Sequence, residues 1–351
     1  MKALRLVAAG APLELQEVCV PELGTGEVLI RVAGCGVCHT DIGFWRDGVA
    51  TRQPLPITLG HEISGTVVMT SPGKEALLGR EVIVPAVIPC GDCDLCRNGR
   101  GNVCRAQLMP GNDLDGGFAE FARVPARGLC LVNDRAGYAL SELSVIADAV
   151  TTPYQAIVRS DLRPADLAVF VGVGGVGSYG VQIAAALGAH VIAIDVAKDR
   201  LCAVANYGAT LTIDSSTLDL RSIRKQVAAA AADWGVPGHS WKIFECSGHP
   251  AGQETAFALL TYASTLMVIG FTLARTELRL SNLMALDATA QGSWGCKPEL
   301  YPQALLLVTS GAIAIKPFIE QYPLSAAPAV LERVANHEIT RRPILLPNGL
   351  A

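Results

Sequence analysis

Four cysteines, Cys90, Cys93, Cys96 and Cys104, fall within fifteen residues, and the first three are separated by two residues each. Four thiolates in one loop, with Gly, Asp and Asn between them for tight turns, match the closed tetrahedral site that zinc takes in a structural role. No ligand position is left for water, so this site predicts a stapled loop rather than a reaction centre. An iron–sulfur cluster also takes four thiolates, but its common runs carry other spacings and a trailing proline.

Upstream, Gly34-Cys35-Gly36-Val37-Cys38-His39-Thr40-Asp41 and Gly60-His61-Glu62 offer a second donor set. A catalytic zinc takes three protein ligands and keeps its fourth position open, and Cys38 with His61 would supply a thiolate and an imidazole. Spacing alone does not reveal the third ligand. Taken singly, a lone Cys or His is more often a packing residue than a ligand.

Further on, Gly172-Val173-Gly174-Gly175-Val176-Gly177 fits G-x-G-x-x-G after an apolar run and before an apolar stretch of helical length. Such glycines let backbone approach a pyrophosphate at a helix N-terminus. Asp195 ends the next apolar run eighteen residues past Gly177, where its carboxylate would accept from ribose hydroxyls and repel a 2′-phosphate. The expected cofactor is therefore NAD rather than NADP.

These residues must be positioned by two kinds of architecture. Up to about residue 150, short strand-like runs (27–33, 65–69, 81–85, 117–124) are broken by Gly and Pro, and helix enters late. From 151 the rhythm becomes strand, turn, helix, strand. Strands are expected at 167–172, 191–195, 210–213, 241–246 and 264–270, with helices at 176–187, 201–207, 218–232 and 252–260. That pattern is a series of βαβ units on a parallel sheet. The last sixty residues read as a return to strand-like runs ending at 343–347. The fold class expected is α/β: a β-rich catalytic domain over 1–149 and 292–351, and a doubly wound Rossmann NAD-binding domain over 150–291.

Composition narrows the function. Half of the 351 residues are apolar, enough for two cores. A net charge of −4 gives no basic footprint for nucleic acid or an anionic membrane, so the expected partner is a small-molecule substrate. No run approaches the ~20 apolar residues that span a bilayer, and the start lacks a signal-peptide core, so a cytoplasmic protein is expected. Eleven cysteines in that setting point to metal rather than disulfides.

With Cys38, His61, the four-cysteine loop, the glycine turn and Asp195 in this order, the whole chain resembles the zinc-containing medium-chain alcohol dehydrogenases. The resemblance implies a GroES-like catalytic domain beside the Rossmann domain, NAD, and two zinc ions per chain. It implies that Cys38 and His61 bind the catalytic zinc and that Asp148, where the family usually carries Cys, is the third ligand. A carboxylate there would leave the zinc more electron-poor than a second thiolate would.

Glu62 matches an acidic residue close to the metal that can bind it in some states, and Asp41 a carboxylate that orients the histidine. Thr40 matches the hydroxyl that takes the alcohol proton. The histidine that carries the proton onward is replaced by Gly43, so the relay ends at water or at His39. His39 and Arg342 match basic residues at the pyrophosphate, and Arg200 one at the adenosine ribose. Cys246 and Ile269 match strand ends beside the nicotinamide.

Residues 72–81 and 112–117 are similar to the 6-hydroxycyclohex-1-ene-1-carbonyl-CoA dehydrogenases of anaerobic benzoyl-CoA degradation. This implies a cyclic secondary alcohol carried as an acyl-CoA, with water addition to the enone product as a further activity. Such a substrate would need basic residues for the CoA phosphates, for which Arg46, Arg52 and Arg97 are the candidates. The alternative is a simple secondary alcohol or a polyol. Compact relatives are often homotetramers, so a tetramer is expected by analogy.

Overall fold

In the computed structural model, which describes residues 1–349, the run EVLIRVAGCG forms one strand, Glu27–Gly36. Its Val28, Ile30 and Val32 alternate into one core, as a period of two requires, while Leu29 between them is buried as well. Around it stands the first of two compact units, made of Met1–Thr151, Gly295–Ser310 and the segment from Ile315 on. The main sheet of this unit runs Ile319–Pro323, Arg342–Leu346, Glu27–Gly36, Glu62–Thr70, Glu81–Val84, Cys130–Leu131, with Phe121–Pro125 also paired to Glu27–Gly36. The pairings are antiparallel except between Ile319–Pro323 and Arg342–Leu346. A smaller sheet joins Glu14–Glu17, Lys2–Leu6 and Ile57–Thr58.

Two expectations are corrected here. Helix does not enter late, because His39–Trp45 is already helical. The last sixty residues are also not mainly strand: they hold helices Tyr301–Thr309 and Ala327–Ala335. Ala327, Val330, Leu331 and Val334 are buried at helical spacing, so the 3.6-residue period outweighs the strand-like composition of the neighbouring runs.

The second unit, Thr152–Trp294 with Gly311–Ala314, is built on a six-stranded parallel sheet. Its order is Leu211–Asp214, His190–Asp195, Leu167–Val171, Trp241–Glu245, Thr265–Val268, Thr289–Gly292. Leu167–Val171 is buried along its whole length, as a central strand covered on both faces must be. The strand order reverses between Leu167–Val171 and Trp241–Glu245, which creates the crevice where doubly wound sheets bind ligands. Helices Gly177–Ala186, Lys198–Ala205, Leu220–Asp233 and Pro250–Ala258 make the connections. Among the described residues no helix is long and apolar enough to cross a membrane.

Candidate active site

At the end of strand Glu27–Gly36 the Val37 N–H donates to the Pro343 carbonyl at 2.9 Å, and the chain turns into helix His39–Trp45 with Cys38 as its N-cap residue. Cys38 offers no capping oxygen. The fully buried Asp41 carboxylate accepts the Cys38 N–H at 2.9 Å and the Gly60 N–H at 3.1 Å. One buried carboxylate thus ties the segment that carries Cys38 to the segment that carries His61. The same group lies 3.4 Å from His61 Nδ1.

Gly60 adopts φ +96°, and a Cβ there would stand 2.5 Å from Phe118 and 2.7 Å from Cys35 Sγ. Residues 112–117, which carried part of the likeness to the acyl-CoA enzymes, form a brace behind this turn. Gly116 and Gly117 N–H donate to the Thr58 and Gly60 carbonyls at 2.8 Å each. A Cβ at Gly116 would fall 2.2 Å from the Gly60 oxygen, so packing explains that glycine.

Asp148 follows the 3₁₀ segment Leu140–Ala147. Its Oδ2 is 3.7 Å from Cys38 Sγ and 3.6 Å from His61 Nε2. With Glu62, these side chains bring four donor atoms within 4.8 Å of one another. Zinc bonds of about 2.0–2.3 Å in tetrahedral geometry place donors about 3.3–3.8 Å apart, so Cys38, His61 and Asp148 fit a zinc ion. Electrostatics agree. Burial alone pulls the His61 imidazole down, but Asp41, Asp148 and Cys38 more than reverse this and hold it well above its ordinary value. A thiol, an imidazole and carboxylates crowded in one buried place are donors of the kind a divalent cation takes.

Glu62, fully buried, is clasped by Arg342, whose Nε donates to Oε2 at 3.0 Å and whose Nη2 donates to Oε1. Nη2 also lies 3.8 Å from Asp148 Oδ2, so one guanidinium spans both carboxylates. Burial pushes the Glu62 carboxyl up to about 7 even though Arg342 opposes the shift. Gly36 makes this pairing possible, because a Cβ there would lie 1.9 Å from Glu62 Oε2.

Thr40 Oγ1 sits 3.7 Å from Cys38 Sγ, at the edge of the donor set. His39 is exposed and stacks on His337 at 5.3 Å between ring centroids. That partner lies 298 residues away, and no spacing signal in the sequence reveals it.

In the four-cysteine loop, Cys93 Sγ is 3.5 Å from Cys96 Sγ and 3.6 Å from Cys104 Sγ. Cys90 Sγ is 3.5 Å from Cys104 Sγ and 3.8 Å from Cys96 Sγ. Four sulfurs on one zinc at about 2.3 Å stand ~3.8 Å apart. Backbone hydrogen bonds from Asp92 and Cys93 hold the Cys90 thiol down to about 6, which favours the thiolate that a metal requires.

In the second unit, the glycines divide by cause. Gly172 has φ +87°, with a Cβ position 2.6 Å from the Ser247 backbone, and a Cβ on Gly177 would fall 2.0 Å from the Gly172 oxygen. Gly174 is different: the nearest heavy atom to its Cβ position is Arg200 Nη1 at 3.6 Å. No close contact among the described residues requires glycine there, and a glycine in this place is what close approach of a pyrophosphate would require. Val176 precedes helix Gly177–Ala186 as its N-cap residue.

Asp195 is buried, and its two oxygens accept the Val173 N–H at 2.7 Å and the Ala197 N–H at 2.9 Å. It therefore ties the glycine turn to the end of its strand, and each oxygen keeps a lone pair for a ribose hydroxyl. The Cys246 N–H donates to the Val171 carbonyl at 2.8 Å and the Ile269 N–H to the Glu245 carbonyl at 2.9 Å, at the carboxyl ends of the central strands.

A zinc-compatible centre on a GroES-like β domain, together with a glycine turn on a doubly wound sheet, defines a class: the zinc- and nucleotide-dependent dehydrogenases. Residues 24–134 match the alcohol dehydrogenase GroES-like domain, and residues 175–310 match the zinc-binding dehydrogenase family. The chain is similar to an alcohol dehydrogenase of Geobacillus stearothermophilus, 29% identical over 98% of each chain. It is also similar to an NAD-dependent alcohol dehydrogenase of Saccharolobus solfataricus, 33% identical over 66% of this chain and 70% of that one. The crystal structure of the alcohol dehydrogenase from the archaeon Aeropyrum pernix superposes with a TM-score of 0.87, at 29% identity, covering 99% of this chain and all of that one.

The protein belongs to the zinc-containing medium-chain alcohol dehydrogenase family and is a zinc-dependent alcohol dehydrogenase acting on a small molecule. Zinc and a nicotinamide dinucleotide are its cofactors, and the two donor clusters are compatible with two zinc ions.

Proposed function

We propose that the protein oxidises a secondary alcohol, cyclic in preference to linear, with NAD as hydride acceptor. The observation that carries the reading is the donor set of Cys38, His61 and Asp148 with the Thr40 hydroxyl 3.7 Å from Cys38 Sγ. Cys38, His61 and Asp148 would hold a zinc ion, which would supply Lewis-acid chemistry to an alcohol oxygen, and NAD would supply the hydride acceptor. Thr40 takes the alcohol proton while releasing its own. With Gly43 carrying no side chain, the onward route is solvent or the exposed His39. Asp41 holds the His61 ring in the orientation that directs Nε2 toward Asp148. His39 and Arg342 serve the pyrophosphate, Arg200 and Asp195 the adenosine ribose, and Cys246 and Ile269 the nicotinamide, in keeping with the family.

The acyl-CoA form of the substrate finds less support. Arg46 pairs with Asn336 at 3.3 Å and Glu332 at 3.8 Å, and Arg52 with Asp113 at 3.2 Å. Arg97 donates to the Asp92 carbonyl. Glu62, clasped by Arg342, is poorly placed to act as a free base in water addition. A panel of cyclohexanol, 2-alkanols, polyols and cyclic hydroxyacyl-CoA thioesters, followed by NADH absorbance, tests the proposal. Turnover of the cyclic alcohol with NAD is expected, with NADP poorer by at least about tenfold, or ~1.4 kcal/mol. Turnover confined to the thioesters, or to polyols, overturns it.

The protein is further proposed to be a homo-oligomer, a tetramer by analogy. Leu273, Leu280 and Met284 are 66%, 68% and 78% exposed in the segment leading to Thr289–Gly292, the edge strand of the open sheet. Light scattering is expected to give about four times 36.8 kDa, and the mass of a single chain overturns this. A cytoplasmic location is proposed as well, and cell fractionation checks it.

A further inference from the structure

The third ligand of the proposed zinc centre is held by a device that lies far from it in sequence. Asp148 leaves the 3₁₀ segment Leu140–Ala147 with φ −143° and ψ −56°, outside any regular element. Its backbone conformation therefore needs an external constraint. The carbonyl of Ala147, in the peptide group that immediately precedes Asp148, accepts a hydrogen bond from Tyr301 Oη, and Tyr301 Oη accepts the Ala86 N–H at 3.0 Å. Thr151 Oγ1 lies 3.2 Å from the same Ala147 oxygen and 3.5 Å from the Asp148 carbonyl oxygen.

Tyr301 is fully buried and opens helix Tyr301–Thr309, so its ring is fixed by the core. Burial first, and the neighbouring Cys296 next, hold its phenol well above the ordinary value, so it remains a donor. Two donors thus fix the plane of the Ala147–Asp148 peptide, and the orientation of that plane decides where the short Asp148 side chain can reach.

We propose that Tyr301 is a positioning residue for the catalytic zinc ligand Asp148, acting through the Ala147 carbonyl with Thr151 as its second support. Ordinary outer supports bond a ligand's own side chain. Here the support acts on the peptide instead, because the Asp148 carboxylate is engaged by Cys38, His61 and Arg342. A carboxylate ligand must be held to within about half an ångström of its productive position. Loss of the phenol oxygen frees the peptide to rotate and should loosen one metal ion only.

The inference rests on the zinc reading above, so the test separates the two. Zinc release to a chelating dye is followed in the full-length protein, and the phase that Cys38→Ser removes is assigned to the catalytic ion. A wild type that holds one zinc, or a Cys38→Ser protein that keeps both, fails the zinc reading itself. Tyr301→Phe is expected to speed the catalytic phase about tenfold, the scale seen for outer supports of metal ligands, with the four-cysteine phase unchanged. In the cobalt-substituted protein the d–d bands of the catalytic ion should shift. Thr151→Val is expected to act in the same direction, whereas Thr151→Ser, which keeps the hydroxyl, should match wild type. Wild-type release from Tyr301→Phe overturns the proposal, and so does equal acceleration of both phases, which would mark a general loosening of the fold.

Discussion

Cys38→Ala is expected to lower kcat/KM by about three orders of magnitude while leaving one zinc per chain and the fold intact. Losing the metal's Lewis acidity costs on the order of 4 kcal/mol in the transition state, and each ~1.36 kcal/mol is tenfold in rate. The prediction is selective because Cys38 contributes its sulfur to the site and only its backbone to the fold. The Cys38 N–H still reaches Asp41, which still holds the Gly60 N–H, so the segments bearing Thr40 and His61 keep their places. The four-cysteine loop is drawn from other residues entirely. Metal analysis, steady-state rates and a thermal melt on one preparation check it. Two zincs after the substitution, or activity within tenfold of wild type, would show that the reacting centre lies elsewhere.

The parts of this centre differ in how openly the sequence displays them, and the difference is physical. A structural zinc loop draws its donors from adjacent residues, so Cys90, Cys93, Cys96 and Cys104 reveal it by spacing alone. The glycine turn is similarly local, and its flanking strands are identified by burial on both faces. The catalytic centre is assembled across the fold. Cys38 and Asp148 are 110 residues apart, Glu62 and Arg342 280, and Ala147 and Tyr301 154. Local pattern cannot report such pairs, so Asp148 is legible only through the family resemblance and Tyr301 only in the fold. Helix His39–Trp45 is hidden in the sequence for a related reason. Its seven residues include Gly43, and Cys38 offers no oxygen for capping, so Asp41 and tertiary packing stabilise what propensity alone would not.

The buried charges around Arg342 lead to the second large effect. Arg342→Met should destabilise the protein by about 3–5 kcal/mol, because it leaves Glu62 buried with no cation on either oxygen. The loss should also depend on pH. Burial has already raised the Glu62 carboxyl from 4.5 to about 7, and Arg342 is the chief influence holding it down, so its removal raises the folded value further. A carboxyl whose folded value exceeds its unfolded one favours folding while protonated and loses that contribution as the pH rises through the folded value. The Glu62 contribution in wild type is spent by about pH 7, so the unfolding midpoint of Arg342→Met in urea should go on falling above about pH 7, where that of wild type levels off.

Adding Glu62→Gln removes the stranded charge, so the double variant should regain most of the stability and lose the extra pH dependence. Gly36→Ala reaches the same pair from the opposite side, because its Cβ would occupy the place of Glu62 Oε2 and force the carboxylate off the guanidinium. If Arg342→Met unfolds at the wild-type midpoint at both ends of the pH range, Glu62 is not held by Arg342. Asp148 would then not share a guanidinium with Glu62, and its place would rest on Cys38 and His61.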